Sequence, residues 1–415
     1  MNLLLASVLL VLWKTAFIWV PILIFCIFMR IWIRYVQKEF IDNIDWALLS
    51  IKIPREVHKS PEAMEIMLQA INDTGGTADW FLRWWKGQVR LWFSLEIISI
   101  EGSLYFFIRT PRKYKDFVTT QIYSQYPQSE VQEVDDYVRY VPKYIKSNEW
   151  SLFGSEVVLA KDDVYPIKTY IDYGMDRALS LDAEQRIDPI TPILEFFSSM
   201  RKGEQIWMQI LVRAATKKPF TGVLGVLWEF VKGKDWTESA QDEVKSFLEK
   251  HASKKFKSAD GVEKKEIDLQ LLTPGKKNIL EALERSVTKH GFDVGIRWIY
   301  LAPKDKFRGT NIPALLALFR QYNSAELNGF KPKNMTAFDF PWQDIRGRKL
   351  EKMKMDMFDA YMRRSYFYEP YKNKHFILNV EELATIFHFP GSTAETPSFE
   401  RIESKKSEPP IDLPM

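Results

Sequence analysis

The chain has 415 residues, a formal net charge of +4 and one cysteine, Cys26. The charge excess is too small to indicate nucleic-acid binding by itself, and a single cysteine excludes an intrachain disulfide or a thiolate metal site. Aromatic residues make up 14% of the chain, which is enough for a substantial core. Beyond residues 1–40, the remaining length fits roughly two to three domains.

Residues 1–40 are predicted to form a transmembrane anchor. The only charged side chain before Arg30 is Lys14, and about 20 apolar residues suffice to span a bilayer core. Arg30, Arg34 and Lys38 follow the apolar run, so the positive-inside rule places the C-terminal side in the cytoplasm. A cleaved signal peptide is the weaker alternative, because the run is long and no small-residue cleavage site follows it. The sequence predicts a single-pass protein of the cell membrane whose soluble part is cytoplasmic.

Residues 41–145 are predicted to form a ferredoxin-like α+β domain. Helices are expected after Ser60-Pro61 and Thr110-Pro111, where a hydroxyl residue and a proline precede apolar residues at helical spacing. The strands are predicted from short apolar, β-branched runs bounded by turn residues, at residues 46–54, 91–100, 103–110 and 129–134. The resulting order, βαββαβ, is that of the split βαβ motif.

Residues 146–330 are predicted to form a second α+β domain that repeats this order in part. Its helices are expected at Thr191-Pro192 and Thr273-Pro274. Its strands are predicted at residues 165–173, 204–215 and 292–302. Four helices opened by Ser/Thr-Pro, two in each half, favour a duplicated module, and independent use of good caps is the alternative. The predicted fold class is therefore α+β, with a transmembrane helix, two ferredoxin-like halves, a helical insertion and a C-terminal helix with an extended tail.

Two basic clusters are candidate contacts for nucleic acid or another acidic partner. One lies in a Lys-rich helical insertion at about residues 216–270, and the other opens a helix expected at 343–366 in a C-terminal helical segment, residues 331–388. The candidate residues are Lys254, Lys255, Lys257, Arg346, Arg348 and Lys349. A solvated surface is the favoured interpretation of the insertion, because acidic residues are interspersed there. Basic residues at a helix start do not suit the helix dipole.

Residues 389–415 are predicted to form a Pro-rich extended tail. Their repeated proline, serine, glutamate and lysine residues supply too few apolar side chains for a core. An extended segment of this kind is suited to docking on a partner. The candidate docking residues are Phe389, Pro390, Pro397, Pro409 and Pro410.

No catalytic, cofactor-binding or metal site is predicted, and the chain is not expected to be an enzyme. The stretch TPGKKN at 273–278 lacks the spacing of a phosphate-binding loop. The five histidines are scattered along the sequence and do not have metal-ligand spacing. Neighbouring carboxylates such as Asp135 and Asp136 would point to opposite faces of a strand, which disfavours a shared acid-base role.

Several stretches resemble a known family. EELATIFHFP at 381–390, SKKSEPP at 404–410 and DPITP at 188–192 are similar to the region that leads into the motor domain of membrane-anchored, FtsK/HerA-type ATPases of bacterial conjugation and type IV secretion. The resemblance implies the N-terminal module of such a protein without its motor, and hence an ATPase partner. No catalytic residue is carried over, because the nucleotide-binding motifs of the family are absent from this sequence.

The leading hypothesis is a membrane-anchored, non-enzymatic scaffold or accessory subunit of a type IV secretion-like ATPase machine. Its expected partners are the lipid bilayer, a secretion-type ATPase and other copies of the same chain. The alternative is a membrane-tethered nucleic-acid-binding module that uses the two basic clusters. Binding of that kind would weaken steeply with salt.

Overall fold

The computed structural model describes residues 13–54, 59–72, 74, 80–141, 149–175, 188–215, 236–257, 263–338 and 340–391. These residues form two compact units. The first unit contains the described residues up to Ile44 together with residues 80–90. The second contains the others and holds the whole of the large sheet.

The described residues contain ten α-helices and eleven β-strands. The helices are α1 Ala16–Asp42, α2 Glu62–Asn72, α3 Trp80–Trp85, α4 Lys115–Gln125, α5 Thr191–Ser198, α6 Trp236–His251, α7 Pro274–Val287, α8 Asn311–Ala317, α9 Arg348–Met362 and α10 Val380–Ile386. The strands are β1 Trp46–Lys52, β2 Phe93–Ile100, β3 Ser103–Pro111, β4 Glu130–Glu133, β5 Trp150–Leu159, β6 Gln205–Ala214, β7 Ser253–Lys257, β8 Glu263–Ile267, β9 Gly291–Pro303, β10 Phe330–Lys333 and β11 Phe376–Asn379.

Helix α1 has the length and composition needed to cross a membrane. It contains 27 residues, and its most apolar 18-residue window has a mean hydropathy of 2.3 with none of the window buried. At about 1.5 Å per residue it is longer than a bilayer core of roughly 30 Å. Within the same unit, Trp32 Nε1 donates to the carbonyl oxygen of Trp84 at 3.1 Å, and the Trp32 and Trp85 rings meet edge to face.

The large sheet has nine strands and joins both predicted domains. Its strand order is β10-β5-β9-β6-β2-β3-β1-β4, with β11 paired to β9 beside this path, and every pairing is antiparallel. The pairing of β2 with β6 connects the two halves. Outward from that pair, the order is β2-β3-β1-β4 in the first half and β6-β9-β5-β10 in the second. When the large-sheet strands of each half are numbered along the chain, both halves therefore have the order second, third, first, fourth. The sheet ends with β4 on one side and with β10 on the other.

Both faces of the sheet are covered, which explains why its strands read as nearly continuous apolar runs. One face packs against α2, α4, α5 and α10, whose buried side chains include Met67, Ile122, Phe197 and Leu383. The opposite face packs against α9 through Phe358 and its neighbours. Successive residues of a strand alternate between these faces.

The strand predicted at residues 165–173 is wrong. This segment forms turns and irregular backbone. Pro166 has no backbone N–H to give to a ladder. The N–H of Ile167 donates to Glu382 Oε1 at 2.8 Å, and that of Tyr170 donates to Thr385 Oγ1 at 3.0 Å. Side chains of α10 therefore supply the acceptors that a neighbouring strand would have offered.

The Ser/Thr-Pro pairs mark helix starts less accurately than expected. Helix α4 begins at Lys115, because Thr110 and Pro111 still belong to β3 and a 3-10 turn follows them. Among the four pairs, side-chain capping is present only at Ser60, whose Oγ accepts from the N–H of Glu62 at 3.2 Å. Thr273 precedes α7 without a side-chain cap.

The described part of the insertion is only partly helical. It contains α6 and then the antiparallel hairpin β7–β8, and residues 258–262 between the two strands lie outside the described residues. Five strands have no counterpart in the predictions: β5, β7, β8, β10 and β11. The predicted strands at 46–54, 91–100, 103–110, 129–134, 204–215 and 292–302 are confirmed as β1, β2, β3, β4, β6 and β9.

Candidate functional site

Four polar side chains form a continuous row across the middle of the sheet. Glu96 of β2 is paired with Gln209 of β6. Arg297 of β9 is paired with Gln209 on one side and with Glu156 of β5 on the other. All four are at most 2% exposed. Because directly opposed residues of neighbouring strands share a face, we call these four residues the polar row.

Arg364 joins the β2 end of the polar row to Asp136. Its Nε lies 3.0 Å from Glu96 Oε1, and its Nη1 lies 2.6 Å from Asp136 Oδ2. Tyr137 donates its hydroxyl to Glu96 Oε2 at 2.8 Å, and Ser94 Oγ donates to Oε1 at 2.6 Å. Gln209 Nε2 donates to the same Oε1 at 3.2 Å. The Glu96 carboxylate therefore accepts from four side chains, which offsets the loss of its hydration.

Helix α9 ends in a way that places the Arg364 side chain inside the fold. Arg364 directly follows the C-cap residue Arg363 and has a φ of 50°, a left-handed conformation that glycine usually occupies at this position. Its N–H donates to the carbonyl oxygen of Tyr361 at 3.0 Å. Glycine would relieve the backbone strain but would leave Glu96 without its cation.

Burial and neighbouring charges act in opposite directions on this group of side chains. Burial alone would lower the pKa of Arg364, but Glu96 and Asp136 outweigh it and hold that pKa well above its usual value. Burial would raise the pKa of Asp136, but Arg364 brings it below its usual value. The ion pair between Arg364 and Asp136 therefore stays charged at neutral pH. Burial raises the pKa of Tyr137, so its hydroxyl stays a donor.

The other end of the polar row is less completely paired. Arg297 Nη2 donates to the carbonyl oxygen of Ser365 at 2.7 Å and lies 3.6 Å from Glu156 Oε1. Asn334 and Asn373 donate their side-chain amides to the two oxygens of Glu156, at 2.6 and 2.7 Å. Arg297 Nε and Nη1 have no hydrogen-bond partner in the described part of the chain. Burial accordingly lowers the pKa of Arg297.

Arg109 is a further cation near this network. Its guanidinium carbon lies 4.3 Å from the ring centroid of Trp46, which is within the range of a cation–π contact. Burial, together with the positive charge of Arg364, lowers the pKa of Arg109 to about 9. The sheet face below α9 therefore brings together three arginines and three carboxylates, of which Arg109 and Asp136 are half-buried and the other four are buried.

Several carboxylates elsewhere in the second unit also have basic partners. Burial alone would raise the pKa values of Asp188 and Glu204, but His388 and Arg308 respectively outweigh it and both pKa values are lowered. The corresponding distances are 2.9 Å from His388 Nε2 to Asp188 Oδ1 and 2.6 Å from Arg308 Nε to Glu204 Oε1. Each pair joins residues about 100 or more positions apart, so these groups tie together segments that are distant in sequence.

The paired charged groups described above are suited to holding the fold together. They face one another across packed elements. Within the described ranges, no group of three or more histidine, cysteine, aspartate or glutamate side chains could hold a metal ion. An open groove of 340 Å³ runs beside α7, and its charged residues Lys277, Glu281 and Glu284 alternate with leucines. The polar row has a structural effect: it favours one strand register, because a shifted register would leave buried charges unpaired.

The predicted basic residues lie at two separate places in the sequence and in the fold. Lys254, Lys255 and Lys257 belong to β7, where Lys255 is paired with Lys265 of β8, and their side chains lie outside what the structure describes. Arg346, Arg348 and Lys349 are exposed at the start of α9.

The predicted docking tail begins too early. Phe389 is 2% exposed and packs edge to face against Phe106 and Tyr126, and Pro390 is buried as well. The composition of residues 389–415 indicates an extended tail, but Phe389 completes the core together with Phe387, which precedes the predicted tail. Pro397, Pro409 and Pro410 lie outside the described residues.

The polar row and Arg364 were missed by sequence reasoning, although a signal for two of them exists. Glu96 is the only charged residue in the strand sequence FSLEIISI, and Arg297 stands among apolar residues in GIRWIYLA. A lone charge inside a buried strand requires a partner. Arg364 gives no such signal, because it follows another arginine in a polar stretch.

A family model for a domain of unknown function, DUF8128, matches residues 36–401, which is most of the chain. The chain belongs to the DUF8128 family. The DUF8128 match contains every strand of the large sheet, the polar row and Arg364. No curated protein matches the sequence at a significant level of similarity.

Proposed function

We propose that this DUF8128 protein is a membrane-anchored, non-enzymatic scaffold or accessory subunit of a secretion-type ATPase machine. The observation that carries the proposal is helix α1, which is apolar, 27 residues long and unburied over its most apolar window. An unburied apolar surface of this extent is favourable in lipid and costly in water. The positive charges of Arg30, Arg34 and Lys38 favour a cytoplasmic position for the sheet-containing unit.

The internal pairing of charged groups supports a scaffolding role. Arg364 binds both Glu96 and Asp136, and Asp188 and Glu204 have their own basic partners. A catalytic acid or base must instead reach a substrate in a cleft. The charges of this unit favour a single register of a large sheet, and a sheet fixed in this way is a suitable platform on which other subunits can assemble.

We further propose that the sheet consists of two ferredoxin-like modules joined side by side. The support is the strand order, β4-β1-β3-β2 in one half and β10-β5-β9-β6 in the other. In both halves the fourth strand lies beside the first, the first beside the third, and the third beside the second. Split βαβ modules have this antiparallel order. The proposed second module departs from a simple repeat, because α6, the β7–β8 hairpin and α7 stand between β6 and β9.

The proposed partner is a membrane-bound ATPase of the conjugation or type IV secretion class. Its support is the resemblance of residues 381–390, 404–410 and 188–192 to the region that precedes such motors. Since Phe389 and Pro390 belong to the core, the proposed docking segment begins after Gly391. Proline-rich extended segments are common docking ligands because little chain entropy is lost on binding.

Co-purification tests the tail. Deleting residues 392–415 should abolish recovery of the ATPase partner with the tagged chain while leaving the thermal unfolding midpoint in detergent unchanged. The matched control replaces the same residues with a glycine-serine segment of equal length, and it should also lose the partner. Equal recovery of the partner with the full-length and the shortened chain would reject the docking role.

A further inference from the structure

Three large apolar side chains stand exposed within six positions just before helix α9. Phe340, Trp342 and Ile345 are 48%, 68% and 87% exposed. The rings of Phe340 and Trp342 stack with their centroids 4.5 Å apart and their planes 10° from parallel. Single exposed apolar residues are ordinary, but a contiguous exposed group indicates a binding surface.

Basic residues directly adjoin these apolar side chains. Arg346, Arg348 and Lys349 are exposed, and residues 343–354 contain five basic residues and two acidic ones. Neither Arg346 nor Arg348 forms a salt bridge to a residue that the structure describes. The nearby carboxylate of Asp344 is engaged, since its Oδ2 accepts from the N–H of Leu350 at 2.7 Å.

The segment is held in place by the fold. Gly347 has a φ of 67° and connects the 3-10 turn at Pro341–Asp344 to α9. Further along α9, Met357, Phe358 and Tyr361 are buried against the sheet. Because the helix is fixed by these contacts, its first residues and the preceding turn form a defined surface, which we call the aromatic-basic segment, residues 340–349.

We propose that the aromatic-basic segment docks on the headgroup region of an anionic lipid bilayer. Tryptophan favours the boundary between headgroups and acyl chains, and arginine and lysine next to it are attracted by anionic lipid. Nucleic acid would also attract the basic residues, but Ile345 has no polar atom and no ring with which to bind a base. An exposed isoleucine beside tryptophan gains free energy only in an apolar layer.

This contact is additional to the proposed insertion of α1 and is independent of the ATPase partner. A chain held at a membrane by α1 would bring its soluble surface close to lipid headgroups. Docking at 340–349 would then require no long-range encounter, so a modest affinity would suffice.

The test uses a fluorescent label next to the segment. The full chain carries Cys26→Ser, which removes its single cysteine, and Gln343→Cys labelled with an environment-sensitive dye. It is reconstituted into nanodiscs of phosphatidylcholine alone or of phosphatidylcholine with phosphatidylserine. We expect blue-shifted, brighter emission only with phosphatidylserine, together with quenching by lipids that carry a nitroxide on the acyl chain. The same label at Lys331→Cys, on strand β10, should not respond.

Charge removal provides the second measurement. Changing Arg346→Gln and Arg348→Gln should lower the ratio of docked to undocked label by roughly thirtyfold, given the usual attraction of two basic residues to an anionic surface. The matched control, Lys331→Gln with Lys333→Gln, removes two exposed lysines elsewhere and should leave the ratio unchanged.

The outcomes separate this proposal from the anchor. Co-elution of the chain with neutral nanodiscs reports on α1, whereas the difference between the two lipid compositions reports on the segment. Equal emission from both kinds of disc would overturn the docking proposal. A larger response to a DNA duplex on neutral discs than to phosphatidylserine would also overturn it, in favour of nucleic acid.

Discussion

Arg364 is the residue on which the buried charge network depends. It is fully buried, takes a left-handed backbone conformation and holds Glu96 and Asp136 together. A buried ion pair contributes little net free energy against an apolar replacement of both partners, but removing one partner is costly because the other charge stays buried.

We expect Arg364→Met to destabilise the protein by about 3–5 kcal/mol, since Glu96 would lose its cation inside the fold. Urea unfolding of the full chain in detergent gives the free energy of unfolding. The neighbouring Arg363→Met is the matched control. Arg363 pairs with Asp359 at the surface, where such pairs contribute about 0–1 kcal/mol. Adding Glu96→Gln to Arg364→Met should recover part of the loss, and a purely additive double variant would contradict the network.

The residue scale also shows where sequence reasoning has a limit. The Lys and Arg clusters were selected from local density, and density along the chain says little about which charges meet across a sheet. Glu96 and Arg297 could have been found as lone charges in apolar strands, but their partners could not. Arg364 is 268 positions from Glu96, and only the register of folded elements brings them together.

At the scale of elements, α10 shows how a short helix can fix a loop. Asn379 and Glu382 form a capping box, in which the Asn379 side chain accepts from the N–H of Glu382 and the Glu382 side chain accepts from the N–H of Asn379. The other oxygen of Glu382 accepts from Ile167. Burial raises the pKa of Glu382 to about 8, which outweighs the two N–H groups that favour its charged form.

The capping box predicts a pH dependence of stability. In the unfolded chain Glu382 loses its proton near its usual pKa of 4.5, whereas in the folded protein it keeps the proton until about pH 8. Its stabilising contribution is therefore complete below pH 4.5 and is lost as the pH rises through about 8. Glu382→Gln should remove this part of the decline in unfolding free energy. Glu351→Gln, on the exposed side of α9, should keep it, and identical slopes in both variants would contradict the assignment.

Elements with strong local patterns were predictable, and those defined by distant partners were not. The long, nearly continuous apolar runs of β2, β3, β6 and β9 are sufficient to identify these strands. Residues 165–173 have the same apolar character, but their N–H groups bind side chains of α10, more than 200 positions away. The edge strand β10 and the short β11 contain four residues each, which is too few for a periodic signal.

For the whole molecule, the most important contrast is in the burial of apolar side chains. Helix α1 leaves them exposed, whereas the sheet-containing unit buries them in its core. We expect the wild-type chain to stay in the membrane pellet after alkaline carbonate extraction. Introducing Ile22→Lys and Phe25→Lys should release it, because each charge near the centre of a membrane helix costs about 2.5–3.5 kcal/mol. Phe117→Lys with Tyr140→Lys alters two exposed aromatic residues of the other unit and should leave the chain in the pellet. Extraction of the wild type would contradict the anchor.

The ends of the sheet limit how other proteins can join it. Strands β4 and β10 have four residues each, with the sequences EVQE and FKPK. Glutamates on one border and lysines with Pro332 on the other discourage the addition of a further strand, because charge repels and proline cannot donate. These two borders therefore disfavour extension of the backbone ladder, and a subunit that assembled on the proposed scaffold would recognise side chains on its surface instead.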